Sequence, residues 1–340
     1  MTNADHVLQS RFRGALLGSA VADALAFPYK DYSRPFMQAV LGPLVADFSR
    51  HRSGFFPTGQ YTDDTQMALA VVEALLECGD VKGQVIAERL VPLWRDHLIV
   101  DRSRACTEAM ERIVHGEAIW SEAGLGPSCL EGGALSRVIP IGLWDHARTK
   151  SIAEDAHAAL AVTHGDPRVS AAGAVLAAAI ASNVVCGEFI LGPFLDAVAG
   201  AAGRFHGELA DAILDFPRVL SQTEFRAVET FNRFAAKAAG EAPCGFDEGI
   251  APSALQTALI VLYRFLKDPF DYEKAVEATL RMGGELTTAC ALVGAISGAL
   301  LGDEEVPETL AATVLDAATI RETSDRLFAR WKERAAAKSP

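Results

Sequence analysis

The chain has 340 residues, half of them hydrophobic, and its 44 acidic against 31 basic side chains leave a formal net charge of −13. That balance, with no Lys/Arg-rich run, argues against a nucleic-acid-binding surface. The length supports one large domain or two ordinary ones around a sizeable core. Cys78, Cys106, Cys129, Cys186, Cys244 and Cys290 show no short paired spacing. Zinc ribbons and redox pairs are therefore unsupported, and a reducing compartment is expected.

The longest apolar runs, GAVLAAAIAS and CALVGAISGALLG, are shorter than a spanning helix and rich in small residues, so no membrane segment is expected. Arg11 and Arg13 ahead of GALLGSAVA imitate a signal peptide. However, Asp5 sits in the supposed basic region and the helical pattern continues through Asp23, which favours a cytoplasmic protein.

In chain order, residues 1–10 read as a polar lead-in. From Arg11, the residues Phe12, Ala15, Leu16 and Ser19 trace one helical stripe, and Gly14, Gly18 and Ala22 trace a small-residue stripe that lets another helix pack close. Residues 28–61 read as a long irregular connection, of the kind that often carries function. The run TDDTQMALAVVEALLECG then opens a helix: Leu69, Val72 and Leu76 recur at helical spacing, Thr62 is a good cap, and Gly79 a good stop. Asp63 and Asp64 complement the positive end of that helix. By itself the segment reads as a cap, although a fixed first turn also aims several hard oxygens at one point, as magnesium or manganese prefers.

Helical patterns continue over 83–98 and 102–115. A glycine-rich stretch containing Gly132-Gly133 follows, then a helix from Ser151 to about Val162. Thr163-His164-Gly165-Asp166-Pro167 is a helix start, with Asp166 as cap, Pro167 first in the helix and His164 just outside. Further helices are expected at 224–237, along QTALIVLYRFLK, from Phe270-Asp271-Tyr272 to Gly283-Gly284, and along GELTTACALVGAISGALLG, where Gly294 and Gly298 lie four apart. The tail from Pro307 reads as charged helix. With no alternating strand pattern and no tandem repeat, the fold class is an all-α, single-domain orthogonal helical bundle. Its expected bounds are 11–332, with flexible termini at 1–10 and 333–340.

Five segments in order, RGALLGSAVADALAFP, YTDDTQMALA, EGGALSRVIPIGLW, THGDPRVSAAGAV and MGGELTTACALVGAISGALLG, resemble the ADP-ribosylglycohydrolase family. The resemblance spans about residues 11–302. It implies a compact helical domain with one or two Mg²⁺ (or Mn²⁺) ions in a cleft, cleaving the glycosidic bond between the distal ribose of ADP-ribose and an acceptor. By the family's pattern Thr62, Asp63, Asp64, Glu285 and Thr288 are metal ligands, Asp63 and Asp64 are also catalytic, and Asp23, Gly132, Gly133 and His164 bind substrate. The implied partner is an ADP-ribosylated protein or a small ADP-ribose conjugate, with the protein a monomer.

The same resemblance exposes departures. The family's last motif reads GGDxDT, where this chain has Glu285 for the first aspartate and Thr287 for the second. Tyr29 falls where many members place a glutamate, and Ala22 replaces a glycine. These changes remove charge from a site that needs it, so the alternative is an impaired relative that binds ADP-ribose or a related nucleotide as a sensor. Acceptor preference is expected to come from loops 28–61 and 116–131.

Overall fold

The computed structural model describes residues 2–42, 45–124 and 129–337. The parts of the 28–61 and 116–131 loops at 43–44 and 125–128, and the last three residues, lie outside them. Helix α1 (Asn3–Ala26) starts well before Arg11, because Thr2 and Asp5 exchange hydrogen bonds in a capping box. The polar lead-in is thus the first turns of a helix. Helix α2 (Arg34–Val40) interrupts the connection expected to be irregular; Pro35 sits in its first turn, and seven residues are too few to print an apolar period. Helix α3 (Asp63–Cys78) is capped by the Thr62 side chain and ended by Gly79 at φ 69°, as its sequence signals.

Then come α4 (Gly83–Arg95), α5 (Arg104–Val114), α6 (Val138–Asp145) and α7 (Ile152–Ala161). Helix α8 (Pro167–Val184) opens on Asp166, whose carboxylate accepts the Arg168 N–H. The chain continues as α9 (Leu191–Ala202), α10 (Gly207–Leu214), α11 (Phe216–Leu220), α12 (Glu224–Ala239), α13 (Ala254–Lys267) and α14 (Tyr272–Leu280). It closes with α15 (Leu286–Leu301), α16 (Glu308–Thr313) and α17 (Ala317–Ala337). Residues 333–337, expected as a loose tail, are therefore helical. Arg334 anchors them, reaching Asp145 at 3.2 Å and lying over the Trp144 ring. Among the described residues there is no strand, only an isolated bridge between Ile250 and Gly284.

The two small-residue stripes pack against each other. A Cβ on Gly298 would stand 2.0 Å from the Gly14 carbonyl oxygen, and one on Gly294 would stand 2.3 Å from that of Gly18. The pairing 14 with 298 and 18 with 294 makes α1 and α15 antiparallel neighbours in near backbone contact. The C-terminal end of α1, carrying Asp23, is thereby set beside the start of α15. Helix α8 is long and apolar enough to cross a membrane by composition, a length not anticipated from the shorter run within it. Yet 83% of it is buried inside the fold, where it packs on α6, α7, α13 and α15.

Candidate active site

Asp23 is fully buried and organises the start of α3. Its Oδ1 accepts the Thr62 hydroxyl at 2.8 Å, and its Oδ2 accepts the Thr62 N–H at 3.0 Å, the Thr65 N–H at 3.2 Å and the Thr65 hydroxyl at 2.7 Å. These four bonds make Asp23 the residue that holds the acidic turn in place. Burial nevertheless pushes its carboxyl up to about 6, against those four hydrogen bonds.

That turn aims Asp64 at the start of α15 and Asp63 at the start of α5. Asp63 Oδ2 accepts the Ser103 N–H at 3.3 Å, and Asp64 Oδ2 accepts the Thr288 hydroxyl at 2.9 Å, which joins two helix beginnings distant in sequence. Asp64 Oδ1 is buried with no partner. Burial and the nearby Asp23 charge push Asp64 up to about 8; burial and Asp64 raise Asp63 as well. The pair is short of positive charge.

A hard cation is the obvious remedy, and the donor set fits one. Asp63, the orphan oxygen of Asp64 and the Thr62 and Thr288 hydroxyls are oxygen donors, and magnesium commonly takes one or two carboxylates and keeps several waters. No cluster of three or more His, Cys, Asp or Glu side chains suited to a metal exists among the described residues. A second ion fits poorly. Glu285, the candidate ligand there, receives the Lys30 ammonium at 2.9 Å, and Lys30 also reaches Asp101 at 2.8 Å. Burial alone would lower the Lys30 ammonium, but Glu285 and Asp101 outweigh it and hold it above the usual lysine range. Thr287 is buried and offers only a hydroxyl, 3.4 Å from Glu285 Oε1. Tyr29, singled out from its position, points elsewhere and bonds Ser49; the next residue, Lys30, is the one that faces the carboxylates.

Behind the acid pair lies Arg137, fully buried. Its Nη1 donates to the Thr163 hydroxyl at 2.8 Å, its other nitrogens meet Met67 and Cys106 sulfur, and its charge acts on Asp63 and Asp64. The Thr163 hydroxyl also lies 2.8 Å from His164 Nδ1, so it links the guanidinium to the imidazole. His164 is fully buried, and burial followed by Arg137 pushes it down to about 3. It is a neutral, buried imidazole whose Nε2 has no hydrogen-bond partner in the protein. Gly133 has a different use: a Cβ there would lie 2.5 Å from Ser103 Cβ, so its bareness lets the 129–134 loop press on the turn holding Asp63. Gly132 similarly abuts Ala254 and Thr257. Spacing alone gave no notice of Arg137, Asp101 or Lys30, since their partners come from distant parts of the chain.

A cleft of about 820 Å³ opens beside this cluster. Glu285, Gly284 and Asp31 form one end, Arg104 and Glu131 another, and Asn232, Gln256 and the 241–253 loop much of the wall. Its size suits a nucleotide-like ligand.

Compared with known proteins, residues 4–337 match the family model described as ADP-ribosylglycohydrolase. A protein of Archaeoglobus fulgidus with no assigned function is 26% identical, covering 94% of this chain and 97% of its own length. The ADP-ribosyl-[dinitrogen reductase] glycohydrolase of Rhodospirillum rubrum is 25% identical over 88% of each chain. A solved structure titled as an ADP-ribosylglycohydrolase-related protein complex superposes with a TM-score of 0.72 at 22% identity, covering 96% of this chain and 99% of its own, which supports the helical fold.

Proposed function

This chain belongs to the ADP-ribosylglycohydrolase family, and from that premise we propose that it is a divalent-metal-dependent hydrolase. The bond cleaved joins the distal ribose of ADP-ribose to an acceptor, either a protein side chain or a small molecule. One observation carries this reading: the partnerless, buried Asp64 Oδ1 beside Asp63, within electrostatic reach of Glu285, which lines a cleft of nucleotide size. An uncompensated carboxylate oxygen costs stability and persists where function needs it.

In this reading Asp63 and Asp64, with the Thr62 and Thr288 hydroxyls, hold one Mg²⁺ or Mn²⁺. When bound, that ion supplies charge to fix ribose hydroxyls and a water in one geometry. The chain's own groups do the rest. Asp23 keeps the acidic turn rigid, Arg137 supports the pair from behind, and the Asp63 carboxylate is the group to take a proton from water while Asp64 Oδ1 faces the ion. Water's hydroxyl goes to the anomeric carbon, the acceptor leaves with a proton, and the positive charge that develops on the sugar is met by carboxylates.

The test is incubation with ADP-ribosylated arginine, serine and small-molecule conjugates in Mg²⁺ or Mn²⁺. Release of ADP-ribose is expected, falling by about 10²-fold or more in Asp64→Asn. No turnover of any conjugate beside an active control refutes the hydrolase. The Lys30–Glu285 pair favours one other reading, a binder of ADP-ribose that needs no metal. Calorimetry showing undiminished ADP-ribose binding in chelator, with no hydrolysis, selects it.

A further inference from the structure

The chemistry above leaves Lys30 without a part, although the chain goes to some length to place it. Its ammonium lies 2.8 Å from Asp101 Oδ2 and 2.9 Å from Glu285 Oε1, with the side chain 16% exposed. The backbone fixes this meeting. Asp31 N–H donates to the Gly284 carbonyl at 3.0 Å, Gly284 N–H to the Tyr32 carbonyl at 2.8 Å, and Glu285 N–H to the Ile250 carbonyl at 2.7 Å. Gly283 and Gly284 take φ of 75° and 80°, and a Cβ on either would strike backbone at 2.6 Å or less. Glu285 is therefore presented to the Lys30 segment by a turn with no freedom to retreat.

Charge counting points the same way. Around this floor the carboxylates of Asp23, Asp63, Asp64, Asp101 and Glu285 face two cations, Lys30 and Arg137. Counted as ionised, they leave three negative charges over, and because Lys30 already sits on Asp101 and Glu285 it is the Asp63–Asp64 half that lacks a cation. Two of the three N–H donors of the Lys30 ammonium are committed, which leaves a third for a ligand oxygen.

We propose that Lys30 is a tethered cation that fills the Asp101–Glu285 half of the floor, so that this protein takes a single divalent ion, at Asp63 and Asp64, and gains a second site only when Lys30 is removed. The proposal rests on the reading that the acid pair binds a divalent ion, and it does not depend on hydrolysis.

The test is stoichiometric. Metal-free protein is titrated with Mn²⁺ by calorimetry, and bound metal is counted after gel filtration. Wild type and Lys30→Arg are expected to take one ion per chain and Lys30→Met two. Two ions in wild type, no ion in wild type, or equal counts in wild type and Lys30→Met overturns the proposal. Should Lys30→Met fail to fold, Glu285→Gln in the otherwise intact protein decides. A change in Mn²⁺ affinity below about twofold supports an engaged, non-ligating Glu285, and a loss of about tenfold or more overturns it. Turnover plays no part in these readouts, so a protein that passes them yet hydrolyses no conjugate refutes the hydrolase reading alone.

Discussion

Two buried regions of this molecule meet at the C-terminal end of α1 and are built on opposite principles. Along α1 and α15 the contact is made of glycine and alanine, with backbone against backbone and almost nothing to satisfy but dispersion. One turn further on, beside the cleft, five carboxylates, an arginine and a lysine crowd together, with Asp23, Asp63, Asp64 and Arg137 buried and Lys30, Asp101 and Glu285 partly exposed. The first region tolerates no added atom. The second tolerates unmet charge, with Asp64 Oδ1 partnerless and three acids held well above their ordinary range. The comparison teaches that the rigidity of the one is what makes the discomfort of the other sustainable, because the carboxylates cannot move apart.

The sharpest way to break the contrast is to add volume at the seam. Gly298→Val forces a Cβ into the Gly14 carbonyl and is expected to cost more than about 4 kcal/mol, seen as lost soluble protein or a collapsed denaturation midpoint. Gly200→Ala in α9, where nothing lies within 4 Å, is the control and is expected to be neutral or stabilising by up to about 1 kcal/mol. Equal effects from the two would show that the seam is not tight.

Next in size is removal of the cation behind the acids. Arg137→Met is expected to destabilise by about 3–5 kcal/mol, because the carboxylates lose their counter-charge while staying buried. The loss should be larger at alkaline than at mildly acidic pH, where the acids can take up protons. A loss independent of pH would make Arg137 a packing residue only.

The smallest effect separates the regions by proton linkage. Asp64 has its folded carboxyl raised from 3.8 to about 8. Between those values the metal-free folded protein keeps a proton that the unfolded chain has released. Stability from this group is thus full below 3.8 and lost as pH rises through about 8. Mn²⁺ must displace the proton, so its stabilising shift in Tm should be greater at about pH 9 than at about pH 6. Equal shifts would remove Asp64 from the metal site.

The seam was legible in the sequence because small residues four apart announce close helix packing whatever the partner. Here the two announced stripes found each other. The acidic helix start was legible for a similar local reason, as was the Asp166–Pro167 opening of α8. What stayed hidden was nonlocal or too short. Helix α2 has no room for a period, and the Thr2–Asp5 box opens a turn whose residues are too polar to print an apolar stripe. His164 sits beside a motif yet faces inward, which no spacing rule reports. Lys30 shows the limit most clearly: the family's pattern singles out Tyr29, and only the hydrogen-bonded corner of Gly284, Tyr32 and Ile250 reveals which neighbour points at Glu285.

That same double-glycine corner also constrains how the chain acquires its shape. It needs Tyr32 from the N-terminal part, Ile250 from well beyond the middle and Glu285 from near the end before all of its bonds can form. Contacts of such long sequence separation are slow to close. A chain still leaving the ribosome carries the acidic turn of α3 long before the residues that complete its pocket exist, and the charged floor is therefore a late product of folding.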